Sequence, residues 1–336
     1  MSSNVQPTSQ PGNTSAPYST STSIGRPYVP AESDSDPPHL CEQRSSLTHG
    51  EGMFALEQIT HGQLIFHERP IVRFSDPKAP PPEIWAAYKA LNTSHQHHWL
   101  NLTAPESKAD RLRLADFATE EVWYDLCGDV LANYLNNSWR DTVSQESFLG
   151  VRASRFNHSC NPNAVWVMNS MTGRFEVRAV QTIEADAEIY LSYVQIYWPR
   201  WARVRELRDF GFECNCDVCS DPTGEAEQSR WQMYEAEQQL RHMKKPVDEI
   251  ERIDLYAVML DLQLKEPCMA LYQLFTATLL EYLYLEQVNC EQAAYVNGVA
   301  QRGAELTYGR DFEMTPAWKQ RVVNLLMLPW ADSLEG

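Results

Sequence analysis

Two stretches of this chain carry residue types whose spacing could do chemistry. "RFNHSCNPNA" (155–164) places His158 two residues before Cys160, among Asn157, Asn161 and Asn163. "ECNCDVC" (213–219) places Cys214, Cys216 and Cys219 in a C-x-C-x2-C cluster. The first stretch is open to three readings: a metal ligand segment, a Cys/His nucleophile pair, or a polar turn. The second is narrower. Three thiolates this close can hold one tetrahedral metal from a single loop, with one position left for a ligand from elsewhere. Soft thiolates favour zinc. The alternative is three unrelated core cysteines.

Candidates for the fourth ligand are Cys41, Cys127, Cys160, Cys268, Cys290 and His158, and spacing alone does not choose among them. Cys160 lies in a polar, turn-like segment, as a loop ligand would. Cys127, Cys268 and Cys290 lie in helical, apolar contexts that suit core packing. The "SHQHHW" run (94–99) has no acidic or cysteine partner at ligand spacing and reads as a solvated helix end.

Composition bounds the rest. The chain has 336 residues, 43% of them hydrophobic, with ten Trp and fifteen Tyr, enough for a large buried core. The net charge of −17 argues against binding nucleic acid phosphates, which calls for a basic face, and is compatible with a basic protein partner. No apolar run approaches the roughly 20 residues that span a bilayer, and no charged segment followed by an apolar stretch marks a secretory signal. An intracellular protein in nucleus or cytoplasm is expected, with its eight cysteines reduced and acting as ligands or core residues.

The elements that must position these residues follow from pattern. Residues 1–38 are rich in Ser, Thr, Pro, Gln and Asn and read as a disordered tail. Residues 53–74 read as two or three strands turning at His61–Gly62. After the break at 76–82, helical periodicity runs to about 139. Residues 164–180 form a hairpin around Met171-Thr172-Gly173, 187–194 a strand, and 198–211 a short helix ending at Gly211. Residues 225–336 carry long helical runs without strand-like alternation, a second, all-helical region of antiparallel hairpins. No clean 34-residue repeat is visible in it.

Taken in order, "GEGMFA" (50–55), a helical insert, "SRFNHSCNPNA", "EIYLSY" (188–193) and "FECNCDVC" (212–219) resemble the SET-domain protein lysine methyltransferases. The likeness is to the SET and MYND type and its fungal relatives, over about residues 47–220. The C-terminal helices resemble that subfamily's tetratricopeptide-like tail. One departure is plain: residues 42–126 hold no cysteine, so the MYND zinc finger is absent. The resemblance implies an α+β chain. A β-rich SET fold (39–224) would carry a helical insert at about 78–148 and a zinc-binding post-SET loop at about 210–220. An all-α region (225–336) would follow.

It further implies S-adenosylmethionine (SAM) as methyl donor and the ε-amine of a protein lysine as acceptor. Methyl transfer is an in-line displacement that mainly needs positioning. The amine, with a reference pKa of about 10.4, must first lose its proton. An aromatic channel beside a sulfonium cation favours this, and two units of lowering correspond to about 2.7 kcal/mol. By motif match, Tyr193 is the catalytic tyrosine, and Leu191 and Phe210 line the substrate channel. Leucine at 191 carries no hydroxyl to hold a water, which leaves room for di- or trimethylation. Relatives often have tyrosine at the position of Phe210. Glu51, Gly52, Met53, Asn137, Asn157, His158, Tyr193 and Phe212 are matched to the cofactor pocket. Asn157 and His158 would contact the adenine and amino-acid parts, and Phe212 would stack on the adenine. Asn137 reads equally well as a helix cap. One structural zinc would sit on Cys160, Cys214, Cys216 and Cys219. A monomer with a protein substrate is expected. The competing readings are a non-catalytic SET-fold scaffold and a SET-fold enzyme acting on a small molecule.

Overall fold

The computed structural model of the chain describes residues 39–46, 50–76, 78–105, 121–141, 143–243 and 248–327. The N-terminal tail expected at 1–38 and the last residues of the helical region lie outside them. Ten short strands, four small sheets and ten α-helices are found among the described residues.

Strands β1 (Cys41–Ser46) and β2 (Gly50–Ala55) pair antiparallel as a hairpin, Cys41 opposite Ala55. β3 (Leu64–Glu68) and β4 (Val72–Phe74) follow. The insert holds α1 (Pro81–Ala90), α2 (Thr93–Leu100) and α3 (Glu121–Asn137). Asn92 caps α2 by accepting the His95 N–H, and Trp99, fully buried, donates its indole N–H to Val130 O of α3 at 2.9 Å. His97 and His98 stay exposed on the same helix, which is the solvated end the sequence suggested.

The insert is not wholly helical to 148. Residues Trp139–Asp141 form β5 and Glu146–Leu149 form β6, in a sheet ordered β4-β6-β5. Strands of three and four residues are too short to show an alternation that could compete with the neighbouring helical pattern. The first strand also begins earlier than expected, at Cys41.

β7 (Asn157–His158) pairs in parallel with β10 (Tyr190–Leu191). β8 (Ala164–Asn169) and β9 (Arg174–Ala179) form the expected hairpin, in a sheet ordered β3-β9-β8. Beyond it lie α4 (Arg200–Leu207), a 3-10 turn (Arg208–Phe210) and α5 (Asp217–Ser220). Gly211 ends the turn at φ +83°, a conformation that glycine adopts without strain.

One core gathers Phe66, Phe148, Phe156 and Phe175, each with 0% exposure, beneath β2, β3, β8 and β9. Each such ring contributes up to about 3 kcal/mol on burial. The C-terminal helices are α6 (Glu225–His242), α7 (Glu249–Gln263), α8 (Ala270–Glu286), α9 (Cys290–Tyr308) and α10 (Pro316–Met327). They close a second core around Leu274, Leu279, Val299 and Val322, which Val167 of β8 also enters. Among the described residues no helix is long and apolar enough to cross a membrane.

Candidate active site

The parallel pair β7–β10 brings the two motifs together. Leu191, with 0% exposure, pairs with His158, and Ser159 N donates to Leu191 O at 2.9 Å. Two residues on, Tyr193 stands in a wall of rings: Phe210 at 5.1 Å, His158 at 5.4 Å, Trp139 at 6.0 Å and Phe212 at 6.3 Å between centroids. The Tyr193 hydroxyl donates to Phe156 O at 2.6 Å. Burial, and next the Glu188 carboxylate, push that hydroxyl well above the usual phenol range, so it stays protonated at neutral pH.

His158 is 3% exposed, and both its ring nitrogens are engaged inside the protein. Nδ1 accepts the Tyr193 backbone N–H at 3.1 Å, and Nε2 lies 3.3 Å from Cys160 Sγ. The ring therefore links the tyrosine to the cysteines instead of turning its edge to a cofactor.

Around the glycine turn, Asn157 Nδ2 donates to Glu51 O at 3.0 Å and to Glu188 Oε1 at 2.7 Å. A Cβ at Gly52 would collide with Glu188 Oε1, so glycine is required for this close approach. Glu188 Oε2 accepts from Ser46 Oγ and Tyr190 OH, each at 2.8 Å. The exposed Glu51 carboxylate accepts from Gln43 and Ser45, and these hydrogen bonds hold it below the usual carboxylate range. Met53 is fully buried, and its carbonyl accepts the Ile189 N–H at 2.7 Å. Asn137 Nδ2 donates to Thr103 O and Asn133 O, each at 2.8 Å, which ties the end of α3 to the segment before Pro105.

Cys160, Cys214, Cys216 and Cys219 place their sulfurs within 4.8 Å of one another. Zinc–sulfur bonds of about 2.3 Å put the corners of a tetrahedron about 3.8 Å apart. The sulfur of Cys160 lies 3.5 Å from that of Cys219 and 3.9 Å from that of Cys214, so the donor set fits one tetrahedral soft metal. Cys160, donating its S–H to the neighbouring sulfurs, is held up as a thiol, and Cys216, accepting from its neighbours, is pushed down towards thiolate. Cys127, Cys268 and Cys41, the other buried candidates, are not in this cluster. Arg203, fully buried on α4, reaches Cys219 Sγ at 3.7 Å and pairs with Glu227 at 2.9 Å. Arg230, also fully buried, donates to Cys160 O at 3.1 Å and pairs with Glu266 at 2.8 Å.

Several participants went unnoticed in the sequence. Trp139 looks like a helix residue there, yet it flanks Tyr193, and its buried indole N–H has no hydrogen-bond partner among the described residues. Arg203 and Arg230 carry no local signature. For Glu188 the one available signal was a carboxylate inside an otherwise apolar strand motif.

Residues 50–194 match the SET domain family. Over 173 residues the chain is 30% identical to "Histone-lysine N-methyltransferase set5" of Schizosaccharomyces pombe, covering 51% of this chain and 47% of that protein. Over 65 residues it is 40% identical to "N-lysine methyltransferase SMYD2-B" of Danio rerio, covering 19% of this chain and 14% of that one. Among solved structures, a Plasmodium falciparum protein described as a histone methyltransferase aligns with TM-score 0.27 and 18% identity, over 47% of this chain and 96% of that one. At that score the structural likeness carries no argument. The SET likeness thus belongs to residues 50–194 of the chain. Within that class the chain's likeness runs to the SET- and MYND-like lysine methyltransferases, although it spans about half the length of the S. pombe relative and less of the other.

Proposed function

We propose that this protein is a SAM-dependent methyltransferase of SET type that acts on the ε-amine of lysine in a protein substrate. The observation that carries the reading is the Tyr193 hydroxyl, held on Phe156 O at 2.6 Å inside a cup of aromatic rings. When bound, SAM supplies an electrophilic methyl group. Glu51, Gly52, Met53, Asn137, Asn157, His158 and Phe212 are the residues proposed to surround it, His158 through its main chain. Phe212 offers the ring face for the adenine. Phe210, Leu191 and Trp139 make the channel apolar, which excludes water and favours the neutral amine. Tyr193, kept protonated, orients that amine and does not act as a strong base.

One structural zinc on Cys160, Cys214, Cys216 and Cys219 would pin the segment carrying Phe210 and Phe212 over the site. The acidic chain suits a basic stretch around the target lysine. The helical region, likened to a tetratricopeptide tail, would lie beside the substrate.

The deciding experiment incubates the purified chain with methyl-labelled SAM and a cell extract. Label in protein bands, traced to methyl-lysine, is the expected result. Label only in the organic extract would replace the reading with a small-molecule methyltransferase. A folded protein that binds no SAM by calorimetry would replace it with a non-catalytic scaffold.

A further inference from the structure

Glu68 ends β3 and takes no part in the aromatic cup or the cysteine cluster. Its carboxylate nevertheless accepts three consecutive backbone N–H groups: Val151 at 3.0 Å, Arg152 at 3.1 and 3.2 Å, and Ala153 at 2.8 Å. These amides open the 3-10 turn Ala153–Arg155. Gly150 is part of the same arrangement, since a Cβ there would lie 2.6 Å from Glu68 Oε2 and 2.9 Å from the Ala153 Cβ.

The residues that follow from this turn touch every wall of the site. Ser154 Oγ donates to Gly150 O at 2.6 Å and lies 3.2 Å from Asn137 O, and Arg155 Nη2 donates to Asn101 O at 3.2 Å. Phe156 O receives the Tyr193 hydroxyl, and Asn157 braces Glu51 and Glu188. His158 links Tyr193 to Cys160.

We infer that Glu68 is a positioning residue for methyl transfer: its carboxylate anchors the 150–156 turn, and through it the Phe156 carbonyl that holds the Tyr193 hydroxyl and the Asn157 side of the cofactor pocket. The chemistry explains the choice of residue. Three convergent N–H donors need two acceptor oxygens, and charge-assisted bonds of this kind are roughly twice as strong as neutral ones. Glutamine would match the shape but turn an NH2 group towards one or more of the three donors. This inference rests on the methyltransferase reading above only for its kinetic consequence, because the anchoring itself is read from the backbone.

The test uses the full chain with Glu68→Gln, and Gly150→Ala as an independent way of displacing the carboxylate. Amide exchange across 151–158 is expected to rise at least about tenfold in both variants, with exchange in α8 unchanged. Unchanged exchange at 151–158 overturns the anchoring. In calorimetry with SAM, the dissociation constant is expected to weaken about tenfold per folded molecule while the stoichiometry still reports the folded fraction. Turnover with mixed core histones as probe is expected to fall about a hundredfold, the scale of a misplacement near 1 Å. A reduced stoichiometry with unchanged affinity and turnover per folded molecule would make Glu68 merely structural and overturn the inference. If the wild-type chain itself neither binds SAM nor transfers methyl, the functional reading fails while the exchange data still decide the anchoring.

Discussion

His158 accepts the backbone N–H of Tyr193 on Nδ1 at 3.1 Å, so the residue matched to the catalytic tyrosine is held by a ring whose far side lies 3.3 Å from Cys160 Sγ. An Nδ1 that accepts leaves Nε2 as the protonated nitrogen, directed at a sulfur that would be a thiolate on a metal. The same ring can thus orient a metal ligand and the tyrosine backbone, in the manner of partners that stand behind a metal's own ligands. His158→Ala is expected to lower both metal retention and methyl transfer, each by about 10- to 100-fold. Metal analysis of the purified variant beside its turnover checks this. Full metal content with lost turnover would break the link.

Cys160 completes the cysteine cluster from across 54 residues of chain. Cys160→Ser is expected to bring the zinc content of purified protein well below the about one ion per chain that a four-thiolate site holds. Chelation of the wild-type should loosen residues 210–220 in the same way, because metal binding is folding free energy for such a loop. Exchange mass spectrometry over that segment, with and without chelator, is the measurement.

Tyr193→Phe removes the hydroxyl that rests on Phe156 O and leaves the ring in its aromatic cup. Transfer is expected to fall by at least about 10²-fold, the scale seen when one preorganised polar group is removed from an active site. SAM affinity by calorimetry should stay within a few-fold. Equal loss of both would move Tyr193 out of the transfer step.

Arg230 is fully buried and makes bonds to Ile196 O, Ala226 O, Cys160 O and Glu266, so it fastens α6 and the region before α8 to the cysteine turn. Arg230→Ala would strand the Glu266 carboxylate and three carbonyls at a cost of about 3–5 kcal/mol. Lysine should restore little of this, since it is a point charge without the planar fork. Urea denaturation of the three proteins tests both statements, and a loss under about 1 kcal/mol for alanine would refute them.

Alkaline pH should unfold the protein steeply. Burial raises the hydroxyls of Tyr134 and Tyr256 to about 12, and it also raises those of Tyr193, Tyr197, Tyr272 and Tyr308. Each folded-state value lies above the unfolded one of about 10, so above that pH the unfolded chain sheds protons that the folded form keeps. The stabilisation is fully present below pH 10 and is lost as pH rises, at up to about 1.4 kcal/mol per pH unit for each tyrosine. Denaturation midpoints from pH 8 to 11, read beside tyrosinate absorbance, measure it. Tyrosinate appearing at its ordinary pH in still-folded protein would count against these shifts.

Legibility followed sequence distance. The hairpin at 164–180, the helix closed by Gly211 and the C-terminal helices were visible because turn residues and periodicity are local signals. Strands β5 and β6 were hidden: three or four residues between helical patterns carry too little pattern, and the β4-β6-β5 sheet exists only through pairing with a distant strand. Trp139 therefore reads as a helix residue in the sequence, whereas it belongs to the wall beside Tyr193.

By itself the sequence determined the order of the SET-like motifs, the three-thiol loop Cys214, Cys216 and Cys219, and the tyrosine at the end of "EIYLSY", all of which are matters of residue type at short spacing. Only the tertiary structure decided which distant groups meet them. It put Cys160 in the cluster and left Cys127 and Cys268 outside it. It turned His158 inward, between Tyr193 and Cys160, and set Glu68 beneath the turn that delivers Phe156. The physical reason is that these contacts are made across parallel pairing and buried hydrogen bonds. Such partners are chosen by burial and by the need to satisfy every enclosed polar group, and no spacing along the chain records that choice.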